Sequence, residues 1–207
     1  MGNRNNSRRR VSRKEALKQK TIPPIGMIAV GVGIILIGVA ALFMIPKDDA
    51  AANAGNAREE YSSIPMQVEY DAPDLTLTTL AGKEESLADY KGQVILVNLW
   101  ATWCPPCKAE LPVLQQFYED HADEGFAIIG IDFGEPESVV NTFIKSSNLT
   151  YPIWVDEDSQ AGMAFNSYSL PASFVIDRNG TVRLAWTGAI SQSMLEKHVT
   201  PVIQGAN

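Results

Sequence analysis

Residues 94–112 read VILVNLWATWCPPCKAELP, and the junction inside this stretch decides the fold. Val94 to Trp100 is apolar except for Asn98, a continuous run suited to a strand covered on both faces at the centre of a sheet. From Pro105 the pattern changes. Leu111, Leu114, Phe117 and Tyr118 recur three and four residues apart while Glu119 and Asp120 fall outside the stripe, which predicts a helix to about His121, kinked at Pro112. Cys104 therefore stands where a buried strand hands over to a helix.

Outward from that junction, short apolar runs alternate with amphipathic segments, the pattern of an α/β domain. Further strands are expected at Phe126 to Ile131, Ile153 to Val155, Ser173 to Ile176 and Val182 to Trp186. Helices are expected from Pro136 to about Ser147, at Gln160 to Phe165, and from Ser191 to about Ile203. Asp177-Arg178-Asn179-Gly180 lies between two β-rich runs. Asn-Gly supplies the positive φ angles of a type I′ turn, so the last two strands should be antiparallel.

The N-terminal end has a different character. Of the net charge of -7, residues 1–20 contribute +7 and the remainder -14. Eight Lys/Arg in that tail could be a nucleic-acid arm, but they immediately precede Ile25 to Ile45, 21 residues of almost wholly apolar and glycine character. A helix of that length spans about 32 Å against a hydrocarbon core of about 30 Å. The basic side faces the cytoplasm by the positive-inside rule, which exports everything beyond Lys47 and leaves no nucleic-acid role. A cleaved signal peptide is the competing reading, and the run is longer than the usual signal core. The expected organisation is a basic cytoplasmic tail (1–24), a transmembrane helix (25–45), a flexible linker (46–67) without sustained apolar period, and an extracytoplasmic domain (68–207).

Cys104 and Cys107 are the only cysteines of the chain and form one C-x-x-C. A helix N-terminus stabilises a thiolate, the attacking species in disulfide exchange, so Cys104 is the expected nucleophile and Cys107, one turn inward, the resolving cysteine. Pro105 and Pro106 preset helical φ angles and remove two N–H donors, which argues for a less stabilised thiolate, whereas Lys108 pulls the other way. Half of a zinc site would need about two more ligands. His121 and His198 lack ligand spacing and fall in amphipathic helices, where surface or cap roles are expected, so no metal is assigned. The redox-active disulfide serves in place of a cofactor.

Residues 97–112, with the lead-in APDLTLTTLAGKEESLADYKG (72–92), the segment GIDFGEPESV (130–139) and SLPASFVIDRNG (169–180), closely resemble the exported thioredoxin-like proteins of the ResA and TlpA type. The resemblance covers roughly Ala72 to Val202. It implies a thioredoxin-like α/β fold, a central mixed sheet flanked by helices, with an N-terminal extension and a central insertion, tethered outside the cytoplasmic membrane. It also implies a cis-proline loop at Pro171 that leaves the backbone of Leu170 free to pair with substrate. Glu110 matches the family's active-site acid, a proton relay whose pKa desolvation would have to raise. Asn98 stands where cytoplasmic thioredoxins carry a buried acid. Trp103, Pro105 and Pro106 complete the expected docking surface, with Trp100 in the core.

The function these residues imply is thiol-disulfide oxidoreduction. The resemblance further implies that the substrates are disulfides of exported proteins such as apocytochrome c and that the reductant is a membrane electron donor of the CcdA/DsbD type. An oxidant of exported thiols, a copper-handling protein using soft sulfur ligands and a docking module with an incidental cysteine pair are the competing readings.

Overall fold

The computed structural model describes residues 62–205. The expected tail 1–24, transmembrane helix 25–45 and most of the linker lie outside the described residues. Among the described residues, no helix is long and apolar enough to cross a membrane.

The elements in chain order are β1 (Met66–Asp71), β2 (Thr76–Thr79), β3 (Glu84–Ser86), β4 (Val94–Trp100), α1 (Pro105–His121), β5 (Phe126–Phe133), α2 (Glu137–Lys145), β6 (Ile153–Asp156), α3 (Gln160–Ala164), β7 (Ala172–Ile176), β8 (Thr181–Thr187), α4 (Gln192–His198) and α5 (Thr200–Ile203). The strands make one sheet in the order β1-β8-β7-β4-β5-β6-β2-β3. β4, β5 and β6 are parallel, and every other pairing is antiparallel.

β4 is buried along its whole length because it has strands on both sides and packing on both faces. Its alternation sorts the core. Val94, Leu96 and Trp100 join Leu111, Leu114 and Phe117 of α1 and Leu195, Val199 and Ile203 beyond β8. Ile95, Val97 and Leu99 pack on the other face with Leu75, Leu77, Ile129, Ile131 and Phe165. Asn98 shares the register of Leu96 and Trp100 and so points toward α1. Leu114 and Phe117 are fully buried, each contributing about 2 kcal/mol of transfer free energy.

Several expectations need correction. The linker expected to run to Gln67 ends earlier, because β1 begins at Met66, and upstream of it Ser63 N–H bonds Ala189 O at 2.9 Å while Ser62 Oγ accepts from Ser191 N at 2.8 Å. β1 carries no apolar alternation because five of its six residues are exposed, so edge pairing to β8 rather than burial makes it a strand. β2 alternates exposed and buried, but over only four residues, and β3 has three. The helix expected over 191–203 is two, α4 and α5, meeting at Val199, since Pro201 at the start of α5 has no N–H to continue the α4 ladder. α1 runs through Pro112 over Pro105–His121, the span its residues predict.

The hairpin at 177–180 is antiparallel as expected, with a different turn. Only Gly180 has positive φ, at 88°. Gly180 N–H bonds Asp177 O at 3.0 Å, and Asp177 Oδ1 accepts from Asn179 N and Thr181 N. This is a type I turn closed by a left-handed glycine, with the Asp177 side chain substituting for turn geometry at Asn179. His121 is also buried rather than on the surface, its Nδ1 2.9 Å from Glu124 Oε1 and its ring against Phe117.

Candidate active site

The site forms where β4 ends. Ala101, Thr102 and Trp103 carry the chain from the buried strand to Cys104, the N-cap of α1. Pro105 and Pro106 occupy the first two helical positions and offer no N–H, so the Cys107 N–H is the first donor available, and it reaches Cys104 Sγ at 3.3 Å. Cys104 and Cys107 are joined in a disulfide. Cys107 is fully buried and Cys104 nearly so, while Pro105, Pro106 and Lys108 are exposed around them and Trp103 is 63% exposed.

Glu110 follows Cys107 by one turn. It lies on the helix stripe that also carries Leu114 and Phe117, which places a carboxyl in an apolar row at 1% exposure. Its Oε1 accepts from Asn98 Nδ2 at 2.8 Å and its Oε2 from Ile190 N at 3.3 Å. Burial pushes its pKa up to about 8, against the pull of these two donors toward the ionised form. Tyr151, 3% exposed, is held far above its ordinary pKa by burial and then by the Glu110 charge.

The peptide bond between Leu170 and Pro171 is cis. Pro171 precedes β7, whose Ala172 pairs with Leu99 of β4, so the loop 169–171 and the C-x-x-C segment lie at the same end of two adjacent central strands. Pro171 O is taken by Gly188 N at 2.8 Å. No described residue bonds the N–H or C=O of Leu170.

Further residues join the site that the sequence reading does not assign to it. Glu135, just past β5, is buried, and its carboxyl accepts from the N–H of Thr102 and, at 2.6 Å, from Thr102 Oγ1. Asp132 Oδ1 accepts from Glu135 N at 3.1 Å. Asp132 is completely buried, and burial first, then the Glu135 and Asp156 carboxyls, push it up to about 8 against the pull of that N–H. The pair ties the end of β5 to the segment that presents Trp103 and Cys104. Its one signal in the sequence is a pair of acids closing an apolar strand. Ser173, fully buried, accepts from Asn98 Nδ2 at 3.0 Å. Among the described residues, no group of three or more His, Cys, Asp or Glu is placed to hold a metal ion.

A helix-capping cysteine paired with a second one turn inward, beside a buried carboxyl of raised pKa, is suited to thiol-disulfide exchange, its disulfide with a partner's thiols or its dithiol with a partner's disulfide. Comparison with known proteins agrees. The AhpC/TSA family pattern matches residues 68–185. The chain is 37% identical over 131 residues to the thiol-disulfide oxidoreductase ResA of Geobacillus kaustophilus (strain HTA426), covering 63% of this chain and 75% of that one. It is 33% identical over 135 residues to the protein of the same name from Bacillus subtilis (strain 168), covering 65% and 75%. Among solved structures, a thiol:disulfide interchange protein of the thioredoxin family from Chlorobium tepidum TLS superposes with a TM-score of 0.60 at 31% identity, over 67% of this chain and 99% of that chain.

Proposed function

The chain belongs to the AhpC/TSA family and within it to the ResA-type thiol-disulfide oxidoreductases, and on that premise we propose that it reduces disulfides of exported proteins from a membrane anchor. The observation that carries the reading is the Cys104–Cys107 disulfide at the start of α1 with Glu110 buried one turn further in.

In the reducing direction, the Cys104 thiolate attacks one sulfur of the substrate disulfide. The S–S bond breaks, one substrate sulfur leaves as thiolate, and a mixed disulfide forms. Cys107 gives its proton to the Glu110 carboxylate and attacks Cys104 Sγ, which closes the internal disulfide and expels the second substrate thiolate. The substrate gains two electrons, and a membrane electron donor of the CcdA/DsbD type returns two to the enzyme. The exposed Trp103, Pro105 and Pro106 and the open backbone of Leu170 beside cis-Pro171 provide the docking surface, with main-chain pairing as its polar part.

The apolar run 25–45 behind a basic tail supports an N-terminus in the cytoplasm and a catalytic domain outside. Apocytochrome c, whose C-x-x-C-H must be a dithiol before haem attachment, is the substrate this reading favours. The reduction potential of the Cys104/Cys107 couple tests the direction of electron flow. A value near about -270 mV supports a reductant, and one near about -120 mV makes the protein an oxidant of exported thiols. Cys107→Ser should trap the substrate as a mixed disulfide on Cys104, and recovery of no exported cysteine protein would remove the reductase assignment.

A further inference from the structure

We propose that Asn98 is a positioning residue whose side-chain amide turns end for end as Glu110 gains and loses its proton, supplying a donor to the carboxylate and an acceptor to the carboxylic acid. The inference rests on Glu110 as the proton carrier and adds the device that lets it carry in both directions.

The geometry leaves one group over. Asn98 is completely buried in β4. Its two amide hydrogens are both spent, on Glu110 Oε1 at 2.8 Å and Ser173 Oγ at 3.0 Å. Its Oδ1 is buried and accepts nothing among the described residues. The second Glu110 oxygen also faces a donor, Ile190 N. Around Glu110, then, every partner is a donor, which suits the ionised carboxylate and leaves an acid proton with nowhere to go.

Burial nonetheless favours the protonated acid near neutral pH, so both states must be accommodated. A half-turn of the Asn98 amide does this without moving the backbone, because its oxygen and nitrogen are nearly isosteric. Oδ1 then accepts from the Glu110 O–H and from the Ser173 hydroxyl, which rotates from acceptor to donor, while the NH2 gives up both of its bonds and takes the buried place where Oδ1 has no partner. A leucine at position 98 would serve neither state, and an ionised acid there would repel the Glu110 carboxylate.

The surroundings leave Glu110 as the group that drives the turn. From α1 the titratable neighbour is Cys107, one turn back and held in the disulfide in the oxidised protein. From the segment before β6 it is Tyr151, kept neutral by burial. β4, β7 and the segment before α4 contribute Asn98, Ser173 and the Ile190 N–H, and no ionised side chain is among the groups that shift Glu110.

The test uses the oxidised full-length chain in detergent micelles, labelled with 13C and 15N and followed by NMR from about pH 5 to about pH 10. Glu110 13Cδ reports its titration. Cross-peaks from the Asn98 side-chain NH2 to Glu110 Hγ and Ser173 Hβ report which end of the amide faces them. These cross-peaks should be present on the alkaline side of the Glu110 midpoint and lost on the acidic side, with Asn98 13Cγ moving downfield as its carbonyl begins to accept. If Glu110 titrates while the cross-peaks persist unchanged, the amide does not turn and Glu110 keeps its assignment. If Glu110 13Cδ does not move across this range, both readings fall together.

Discussion

Glu110→Gln exchanges a buried acid for an amide of the same shape and should reverse its effect on stability between acid and alkaline pH. In the folded chain the carboxyl is raised from 4.5 to about 8, chiefly by burial. The folded state therefore holds a proton that the unfolded state releases between about pH 4.5 and about pH 8. The stabilisation is complete below that window and is lost as pH rises through it, at up to about 1.4 kcal/mol per pH unit, with a ceiling of about 5 kcal/mol. The substituted amide cannot titrate and escapes this loss. Its NH2 either meets the donor Ile190 N or holds the Asn98 amide turned at every pH, with the Asn98 NH2 left where Oδ1 has no partner, at a cost of about 1–2 kcal/mol. Urea unfolding of a disulfide-intact fragment that begins before Ser62 should find the variant less stable than wild type at about pH 5 and more stable at about pH 9. A constant difference across that range would refute the assignment of the raised carboxyl to Glu110.

Asp132→Asn should flatten the same stability-pH curve independently, since Asp132 is also raised to about 8 and its stabilisation is likewise lost as pH climbs toward that value. An unchanged slope would show that the acid is ionised in the folded chain. Leu114→Ala removes a fully buried side chain between α1 and the sheet and should cost about 2–5 kcal/mol by chemical denaturation, and a loss under about 1 kcal/mol would contradict the packing described. Gly162→Ala would place a methyl 2.4 Å from Phe133 Cε2 and 3.0 Å from Ser167 O. It should lower stability by about 1–3 kcal/mol, read as a shift in the urea midpoint, and an unshifted midpoint would mean that α3 moves freely against β5.

The central features were legible because their signals are local. An unbroken apolar run is a buried strand wherever it sits, so β4 ends at Trp100 as its residues foretell. The change from that run to a stripe three and four residues apart announces a helix, and the position of Cys104 at its N-cap follows from chain order alone. Gly180 and Asp177 mark the hairpin, but the turn type depends on a side-chain hydrogen bond that dipeptide preference does not encode. β1 escapes because its exposed edge position imposes no alternation, and residues 191–203 read as one helix because both halves share an apolar face across a proline.

Local pattern by itself settled the strand, the helix, the cysteine pair and their order, since each rests on backbone geometry and burial period over a few residues. Tertiary structure alone decided what surrounds them. Glu110 is an ordinary helix glutamate until Ile190, 80 positions along the chain, and Asn98 close over it, and Asn98 has no second partner until β7 brings Ser173 from 75 positions away. Thr102 and Glu135 meet only because β4 and β5 run side by side in parallel. A carboxyl's pKa is set by what excludes water from it and what donates to it. Both belong to neighbours in space, and short-range sequence pattern carries no record of them.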